Sequence, residues 1–588
     1  MSGRTLFLTS LLCLGLCSFS LQSEGFLQAK GKQIVDAKGE PVLLRGMGLG
    51  GWMLQEGYML ELPKLGQQYQ IRQAFVDLIG EDKTAEFYQA WLANHTTKAD
   101  IDAMAALGYN SVRLPMHFNL YTLPVDQEPV AGQNTWLEPG FALTDQLLAW
   151  AKANKMYVIL DLHAAPGGQG NDLAISDRDP GKASLWDSAA NQQKTIALWK
   201  KLAERYKDEP WIGGYDLINE PNWGFSDSKD KNGCQEQQNK PLRQLLMQIT
   251  SAIREVDQKH MIIIEGNCWG NNYKGVLPQW DNNMVLSFHK YWSENSMQSI
   301  AEPLALSDKY QMPLWLGESG ENSNQWFRDA IALVEQQGIG WAFWPLKKIR
   351  MNNPQQINAN PDYLKLVAYL QGDAEKPTAE QAYKALMQLA NVDIHYNNTI
   401  KHDDVAEAML KQPHSNTTRP YRAFRLAPQQ ALTVQAVDYD VGPLHHAYFD
   451  TESANYHVST GKERRQWNEG MLYRNDGVDI AKDTKDQLYI SHIASDEWWQ
   501  YSISVKQAGF YLLSASFAAV TEGSKLAVFV NQQQETSRSL TKTVCDTCWQ
   551  AAEFGNVYLQ QGNNQLKFKA ARGGFHWRSF TLQSATQY

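Results

Sequence analysis

Short apolar stretches alternate with helix-period stretches over the first two thirds of the chain. Each apolar stretch has a core of four or more apolar residues and turns polar and glycine-rich at its C-terminal end, which is typical of a buried strand. Eight such stretches occur, at 42–52, 109–118, 156–166, 211–221, 260–270, 283–292, 313–319 and 339–348. Between them, segments such as TDQLLAWAKAN and QWFRDAIALVEQQ place apolar residues three or four positions apart, as an amphipathic helix does.

Eight strand–helix units within about 300 residues predict a closed parallel (β/α)8 barrel, the TIM barrel. An open doubly wound sheet is the alternative, but no GxGxxG turn follows the first strand. In a barrel the functional groups collect at the C-terminal ends of the strands, where the polar residues of these stretches lie.

The pattern changes after residue 390. Residues 391–430 are polar and contain proline, and they indicate a bridging segment with a helix at 403–411. From residue 431 to 588 short alternating stretches follow one another between turn residues, namely LTVQAVDYD, EWWQYSISV, GFYLLSASFAA, KLAVFVN and NQLKFKAA. They predict a C-terminal all-β sandwich of the jelly-roll type. The predicted domains are therefore a barrel at 25–390, the bridging segment and the sandwich.

The N-terminus has the pattern of a secretory signal peptide. Residues 1–22 combine an arginine, the apolar run LFLTSLLCLGLC and small residues suited to cleavage. No later stretch approaches 18 uninterrupted apolar residues, so we predict a secreted protein, extracellular or periplasmic, without a membrane span.

Four cysteines remain after the predicted signal peptide, and they allow three pairings. Pairing Cys234 with Cys268 and Cys545 with Cys548 keeps each bond within one predicted domain. A zinc site at CDTC is the alternative, although no second CxxC or HxxxH follows it.

Composition narrows the classes of partner. The chain of 588 residues has a net charge of −9, which argues against a nucleic-acid partner. Its 20 Trp and 25 Tyr fit a protein that stacks aromatic rings against sugars.

Two carboxylates occupy matching places in the predicted barrel. Glu318 ends the seventh strand, in PLWLGESG, and Glu220 follows Asn219 at the end of the fourth, in DLINEPNW. Strands four and seven of such a barrel face each other across its mouth. Two facing carboxylates are the working parts of glycoside hydrolysis, in which one donates a proton and the other attacks or activates water.

Other polar and aromatic residues repeat this placement. Arg113 lies near the end of the second strand, where its guanidinium could hold a carboxylate bidentately. His163 ends the third strand, and His289 with Tyr291 ends the sixth. Trp344 lies near the end of the eighth, where an indole face could form the floor of a sugar site.

These residues together resemble glycoside hydrolase family 5 over about residues 25–390, with LINEP before the first carboxylate and GES around the second. The resemblance implies that Glu220 is the general acid/base and Glu318 the nucleophile. It also implies that Asn219 holds the 2-hydroxyl of the substrate, Tyr291 positions the nucleophile and Arg113 keeps it ionised. His163 and His289 would order the surrounding hydrogen bonds.

Two further segments, LLRGMGLGGWMLQEGYM and LDLHAAPGGQ, are similar to secreted exo-acting β-1,3-glucanases and related β-glucosidases. We therefore predict a secreted retaining β-glycosidase that cleaves β-glucans or β-gluco-oligosaccharides without a cofactor or metal. One alternative is a β-mannanase or another glycoside hydrolase of the same clan, the group of families to which family 5 belongs, with the same site residues. A catalytically inactive carbohydrate-binding protein is the other.

The C-terminal stretches LTVQAVDYDVGPLHHAYFDTE, YRNDGVDI, EWWQYSISVKQAGFYLLS and CWQ resemble carbohydrate-binding module family 6 over about residues 430–588. That family binds sugar with an aromatic pair and a nearby Asn. Trp549 matches one aromatic, whereas His492 and His576 stand at the other two places. Gln435 and Val437 stand where the family carries acidic residues near a structural calcium, so no calcium is predicted.

Overall fold

The computed structural model describes residues 25–468 and 470–584, so the predicted signal peptide at residues 1–22 lies outside the described residues. Eight parallel strands close into a barrel, which confirms the predicted TIM barrel. Each strand pairs with the next along the chain and the eighth pairs with the first. The strands are Arg45–Gly48, Ser111–His117, Tyr157–Ala164, Ile212–Asp216, Met261–Ile264, Met284–Tyr291, Leu314–Gly320 and Gly340–Trp344.

Amphipathic helices surround the barrel. The helix Lys240–Arg254 is an example, because its buried apolar residues follow the helical spacing of three or four positions. They are Leu242, Leu245, Leu246, Ile249 and Ile253. This spacing buries one face of the helix against the strands and leaves the other in solvent. The helices of the barrel region are Gln68–Ile79, Glu81–Asn94, Lys98–Leu107, Glu138–Ala153, Ala189–Tyr206, Lys240–Arg254, Asn267–Gly270, Ala301–Tyr310, Asn324–Glu335, Pro361–Gln371 and Ala379–Gln388.

The connection between the fifth and sixth strands departs from the predicted strand–helix repeat. It holds one helical turn, Asn267–Gly270, instead of a full helix. Cys268 and Trp269 within this turn have φ values of 55° and 54°, in the left-handed region that a right-handed helix cannot continue through. The segment is rich in Gly and Asn, which favour turns over helix.

Small elements complete the barrel domain and join it to the next. The strands Gln28–Lys30 and Gln33–Val35 form an antiparallel hairpin before the first barrel strand. Lys347–Ile349, Gln355–Ile357 and Ile400–Lys401 form a three-stranded sheet, so the predicted bridging segment takes part in it. The helix expected at 403–411 is present as Asp403–Leu410.

The C-terminal part is a sandwich of two sheets, as predicted. The burial of Trp498–Val505 alternates residue by residue, so one face packs inward. Trp499 of one sheet and Trp577 of the other meet in the core with ring centroids 5.5 Å apart. The first sheet contains Phe424–Leu426, Tyr448–Phe449, Trp498–Val505, Lys525–Val530, Gln533–Ser539 and Gly562–Arg572. The second contains Leu432–Gln435, Ile480–Lys482, Leu488–Ile490, Gly509–Ala519, Gln550–Leu559 and Phe575–Ser584.

Two disulfides join the pairs expected from the sequence, Cys234 to Cys268 and Cys545 to Cys548. The zinc alternative at CDTC is thereby replaced by a disulfide. Within residues 25–468 and 470–584, none of the helices combines the length and apolarity that crossing a bilayer requires.

Candidate active site

The barrel brings together all eight of its residues that the sequence singled out. Seven of them lie in the C-terminal half of a barrel strand or in the loop that follows one, whereas Arg113, expected near the end of its strand, is the third of seven residues in Ser111–His117. Six of the eight line one cavity of about 1110 Å³, and Arg113 and Asn219 reach the lining residues through hydrogen bonds to Glu318 and His163. The eight are Arg113, His163, Asn219, Glu220, His289, Tyr291, Glu318 and Trp344. Trp549 does not join them, because it belongs to the sandwich.

The two carboxylates face each other in this cavity. One oxygen of Glu220 and one of Glu318 lie within 4.8 Å of each other, and the two residues are only 5% and 6% exposed. Such close and buried acids do not both ionise freely, and the charge of Glu318 contributes to raising the pKa of the Glu220 carboxyl group.

Arg113 supports Glu318 from beneath the cavity. Its Nη1 donates to Glu318 Oε2 at 2.7 Å, while Tyr291 Oη donates to Oε1 of the same carboxylate at 2.8 Å. Both Glu318 oxygens therefore accept hydrogen bonds, which fix the orientation of the carboxyl group. Both contacts are made to the carboxylate expected from the family resemblance, and the catalytic roles of Arg113 and Tyr291 stay predictions.

The Arg113 guanidinium is fully buried and is surrounded by acids. It donates to Asp216 Oδ2 at 2.8 Å and to Glu265 Oε1 at 3.0 Å, and it lies 3.3 Å from Asp161 Oδ1. Burial raises the pKa values of Asp161 and Asp216 well above their usual range. The carboxylates hold Arg113 charged in an environment that would otherwise disfavour a charge.

Glu220 has a different environment. Burial, and then the charge of Glu318, raises the pKa of Glu220 to about 7. Its Oε1 lies 2.6 Å from His289 Nδ1, a partner that the sequence pattern did not assign to it. Glu220 also has a φ of 43°, an uncommon conformation for a residue with a side chain.

Glu265 holds this unusual backbone in place. Its Oε2 accepts a hydrogen bond from the Glu220 amide at 2.7 Å, and its Oε1 lies 3.2 Å from His289 Nε2. Burial lowers the pKa of His289, but the charge of Glu265 and the bond to Glu220 outweigh it, so the pKa is raised well above its usual value. His289 thus lies between the carboxyl groups of Glu220 and Glu265, a placement that favours its protonated form.

His163 and Asn219 form a second, neutral chain. His163 Nδ1 is 2.7 Å from Asp161 Oδ2, and its Nε2 is 3.3 Å from Asn219 Nδ2. Burial lowers the pKa of His163 to about 3, so the ring is neutral and its Nε2 accepts from the Asn219 amide. Arg113 donates to Asn219 Oδ1 at 2.7 Å, which fixes the orientation of the amide.

Trp344 lies on the cavity wall with 5% of its surface exposed. Its ring stacks on His163 with centroids 4.8 Å apart and planes 4° from parallel. Nε1 donates to Tyr58 Oη at 3.0 Å. The His163 imidazole thus covers one face of the Trp344 indole, and the uncovered part of the indole borders the cavity.

The sequence did not single out several acids of the site. Glu265 stands at the end of the fifth apolar stretch, where Glu318 stands in the seventh, and that placement was the available signal. Glu56 lines the cavity from the loop after the first strand and is 7% exposed. Burial, followed by the charges of Glu318, Glu321 and Glu220, raises its pKa well above the usual range.

A metal ion could be held by Glu220, His289 and Glu318, the group of described side chains whose ligand atoms converge within 4.8 Å. Glu318 already accepts from Arg113 and Tyr291, and Glu220 and His289 are hydrogen-bonded to each other. The arrangement therefore suits the transfer of a proton between carboxyl groups, and it leaves few lone pairs for a cation.

The disulfide Cys234–Cys268 supports the cavity wall, because both Cys268 and its neighbour Trp269 line the cavity. Replacing both of its cysteines by Ser should lower the free energy of unfolding by about 2–4 kcal/mol, since the bond closes a long loop. Cys545 and Cys548 are three residues apart and should contribute less. Denaturant unfolding of the two double variants checks this difference, and equal losses would contradict it.

Comparison with known proteins agrees with the two-part architecture. Residues 74–348 match the family model described as Cellulase (glycosyl hydrolase family 5), and residues 474–581 match the model described as Carbohydrate binding module (family 35). The assignment of the C-terminal module to family 6 is therefore not confirmed. Short alternating strands and scattered aromatics are common to β-sandwich modules, so they do not separate these families.

Curated relatives and a solved structure extend this similarity. A Beta-xylosidase of Phanerodontia chrysosporium is 28% identical over 380 residues, covering 58% of this chain and 75% of that protein. A Probable glucan 1,3-beta-glucosidase A of Aspergillus niger is 29% identical over 219 residues, covering 36% of this chain and 49% of that protein. The crystal structure of rutinosidase from Aspergillus niger matches with a TM-score of 0.41 and 17% identity, covering 52% of this chain and 90% of that chain.

Proposed function

We propose that this chain, a glycosidase whose barrel carries a family 5 domain, is a retaining hydrolase of β-glucans or β-gluco-oligosaccharides. The observation that carries the proposal is the Glu220–Glu318 pair, with an oxygen of each within 4.8 Å. Retaining glycosidases hold their two carboxyl groups about 5–5.5 Å apart, whereas inverting ones need about 6.5–9.5 Å to admit a water molecule.

In the first step Glu220 donates its proton to the glycosidic oxygen while Glu318 attacks the anomeric carbon. The bond between that carbon and the leaving oxygen breaks, and an ester bond to Glu318 forms. In the second step Glu220, now a carboxylate, takes a proton from water as the water oxygen attacks the same carbon and releases Glu318. Two inversions at one carbon give net retention.

The neighbouring residues prepare these steps. Arg113 and Tyr291 hold Glu318 in place and stabilise the charge that it carries before attack and regains after hydrolysis. The Asn219 amide has a second N–H to donate to the 2-hydroxyl of the sugar, since His163 occupies only one. Trp344 offers an aromatic face to the sugar ring.

The substrate class is supported by the relative named for glucan 1,3-beta-glucosidase and by the endoglucanases of Acetivibrio thermocellus among the matches. The match to a Beta-xylosidase favours β-xylosides as the second candidate. A panel of laminarin, cellulose, xylan, mannan and nitrophenyl β-glycosides separates these classes. Proton NMR of the first product should show the β anomer, and an α product would contradict the assignment.

Activity is expected to fall as the pH rises through about 7, because Glu220 must be protonated to act as the acid. Its pKa is raised to about 7 by burial and by Glu318, so the protonated form predominates below that pH and is lost above it. The pH dependence of kcat/KM reports this group in the free enzyme. It should be measured with laminaribiose and cellobiose, whose leaving groups need a proton.

The matching control is Glu220→Ala with 2,4-dinitrophenyl β-D-glucopyranoside, whose leaving group departs without protonation. Its kcat/KM should show no alkaline decline near pH 7. A decline that persists in this variant would assign the titration to another group, such as His289.

We also propose that the C-terminal module binds carbohydrate through Trp549, which is half-buried in the sandwich. The Arg578 guanidinium lies 5.0 Å from the centroid of the Trp549 ring, and Trp549 Nε1 donates to Asp483 Oδ2 at 3.3 Å. These contacts hold the ring in one orientation. Trp549→Ala should reduce retention on insoluble β-glucan in a pull-down. Phe510→Ala removes another exposed aromatic ring of the module, and a loss as large as that of Trp549→Ala would contradict a specific role for Trp549.

Secretion to an extracellular or periplasmic space is part of the proposal. The signal-peptide pattern at residues 1–22 and the two disulfides support it, since disulfides persist in oxidising compartments. Fractionation of expressing cells, with and without residues 1–22, tests whether export depends on that segment.

A further inference from the structure

A segment of the C-terminal module reaches the mouth of the barrel. Between the sandwich strands Tyr448–Phe449 and Ile480–Lys482 the chain leaves the sheets, and residues 455–464, here called the arm, lie against the barrel. Four residues of the arm line the same cavity as Glu220 and Glu318, namely His457, Val458, Ser459 and Arg464. The arm lies outside both family matches, which end at residue 348 and begin at residue 474.

Hydrogen bonds fix the arm to the loops that follow the sixth and seventh strands. Asn322 donates from Nδ2 to the Asn455 carbonyl at 2.7 Å and accepts from the Asn455 amide at 3.0 Å. The Val458 amide donates to the Trp292 carbonyl at 3.0 Å. Asn322 and Asn455 are both buried, and breaking these bonds would leave polar groups unsatisfied. The arm is therefore held as part of the cavity wall.

A second set of contacts anchors the chain just after the arm. The backbone N–H of Asn324 donates to the backbone carbonyl of Asn475 at 2.9 Å, and Asn475 Nδ2 donates to the backbone carbonyl of Asn322 at 2.9 Å. Asn324 Nδ2 also donates to Asp404 Oδ2 at 2.7 Å. Barrel, bridging segment and module thus share one buried polar network on both sides of the arm.

The arm packs on Trp292, the residue that follows Tyr291. The guanidinium of Arg464 lies 4.5 Å from the Trp292 ring centroid, and the His457 ring lies 5.2 Å away, tilted by 33°. Trp292 Nε1 donates to the Glu321 carbonyl at 3.0 Å, which fixes the other end of the indole. Tyr291 donates a hydrogen bond to the proposed nucleophile, Glu318, so Trp292 is next in sequence to a residue that contacts the reacting carboxylate.

The chemistry of this wall suits a neutral sugar. Trp292 offers an aromatic surface, and the exposed guanidinium of Arg464 offers donors to hydroxyl oxygens. The rest of the cavity presents acceptors from Glu56, Glu302 and Glu321. The lining therefore supplies both donors and acceptors, which suit sugar hydroxyl groups because these both donate and accept.

We propose that the arm completes a sugar-binding subsite of the catalytic cavity, adjacent to the subsite of the attacked sugar, with Trp292, His457 and Arg464 as its specificity-determining residues. This inference rests on the proposed function. The ligand is a neutral β-gluco-oligosaccharide of at least two units. The C-terminal module therefore contributes directly to the binding of soluble substrates, in addition to any binding of polymer.

The test uses the full chain with Arg464→Ala and His457→Ala. Arg464→Ala should raise KM for laminaritriose and cellotriose about tenfold, the range for loss of a cation–π contact and a charged hydrogen bond. His457→Ala should raise the same KM by less, because it removes only a ring that packs on Trp292. The effect on kcat should be much smaller, and KM for 4-nitrophenyl β-D-glucopyranoside should rise less than KM for the trisaccharides. Arg465→Ala is the matched control, because it removes the neighbouring arginine, whose side chain is 74% exposed.

A binding measurement separates the two proposals. In a Glu318→Gln background, calorimetric titration with each trisaccharide should show binding that Arg464→Ala weakens about tenfold. If Arg464→Ala and Arg465→Ala behave alike in both assays while the wild-type chain hydrolyses the trisaccharides, the subsite is refuted and the proposed function stands. If the wild-type chain hydrolyses neither trisaccharide nor nitrophenyl glucoside, the proposed function fails and the subsite fails with it.

Discussion

Replacing Glu318 by alanine is expected to lower kcat on every β-glucoside by about 10⁴-fold or more, the range seen when a covalent nucleophile is removed. The reason is that no ester can form. A water molecule on the vacated side would have no base to activate it for attack on the anomeric carbon. The folded structure should persist, because Arg113 keeps its hydrogen bonds to Asp216 and Glu265. Initial rates and circular dichroism of the purified variant check both statements.

Azide provides the chemical control for this variant. It should restore turnover of 2,4-dinitrophenyl β-D-glucopyranoside by attacking from the side that Glu318 occupied, and the product should be the α-glucosyl azide. One displacement inverts the configuration, whereas the wild-type reaction retains it. A β-glucosyl azide from the Glu318→Ala variant would show that another residue is the nucleophile.

Replacing Glu220 by alanine is expected to divide substrates by their leaving groups. Hydrolysis of laminaribiose or cellobiose should fall about 10²–10⁴-fold, the usual contribution of general acid catalysis. Formation of the ester from 2,4-dinitrophenyl β-D-glucopyranoside should be largely retained, because dinitrophenolate leaves without a proton. Its hydrolysis should then be limited by the second step, in which the base is missing, and a burst of dinitrophenolate should precede slow turnover.

The same anion distinguishes the two carboxylates. In Glu220→Ala, azide attacks the ester on Glu318 from the side of the missing base, and the product should be the β-glucosyl azide. Equal losses on all leaving groups, without a burst, would count against Glu220 as the acid. The pair of azide products thus assigns each carboxylate separately.

The positions of the catalytic pair could be predicted from sequence because strand ends are readable. Apolar runs that stop at a polar residue mark where a barrel strand meets the cavity, and Glu220 and Glu318 both follow such runs. The contact of Arg113 with Glu318 was also expected, although Arg113 is the third of seven residues in its strand and reaches Glu318 through its long side chain.

The support for Glu220 was harder to predict. Glu265 acts through a hydrogen bond to the Glu220 amide, and that bond depends on the positive φ of Glu220. The residue types in LINEP do not predict this backbone conformation. The partnership of His289 with Glu220 likewise depends on side-chain directions, which strand patterns do not fix.

The turn between the fifth and sixth strands and the arm show the same limit. The sequence predicts a strand–helix repeat, and the Asn267–Gly270 turn breaks it through two left-handed residues. Residues 455–464 are polar and irregular, so they carry no periodic signal. Their place on the cavity wall follows from the buried amides of Asn322 and Asn455, a long-range contact that local pattern cannot predict.

The most direct test of the retaining mechanism is to trap its intermediate. 2,4-Dinitrophenyl 2-deoxy-2-fluoro-β-D-glucopyranoside forms the ester quickly through its activated leaving group, while the fluorine slows hydrolysis. Mass spectrometry of the inactivated protein should show one added fluoroglucosyl group, located after proteolysis on Glu318 within PLWLGESG. A label on any other residue, or hydrolysis with inversion and no label, would contradict the account.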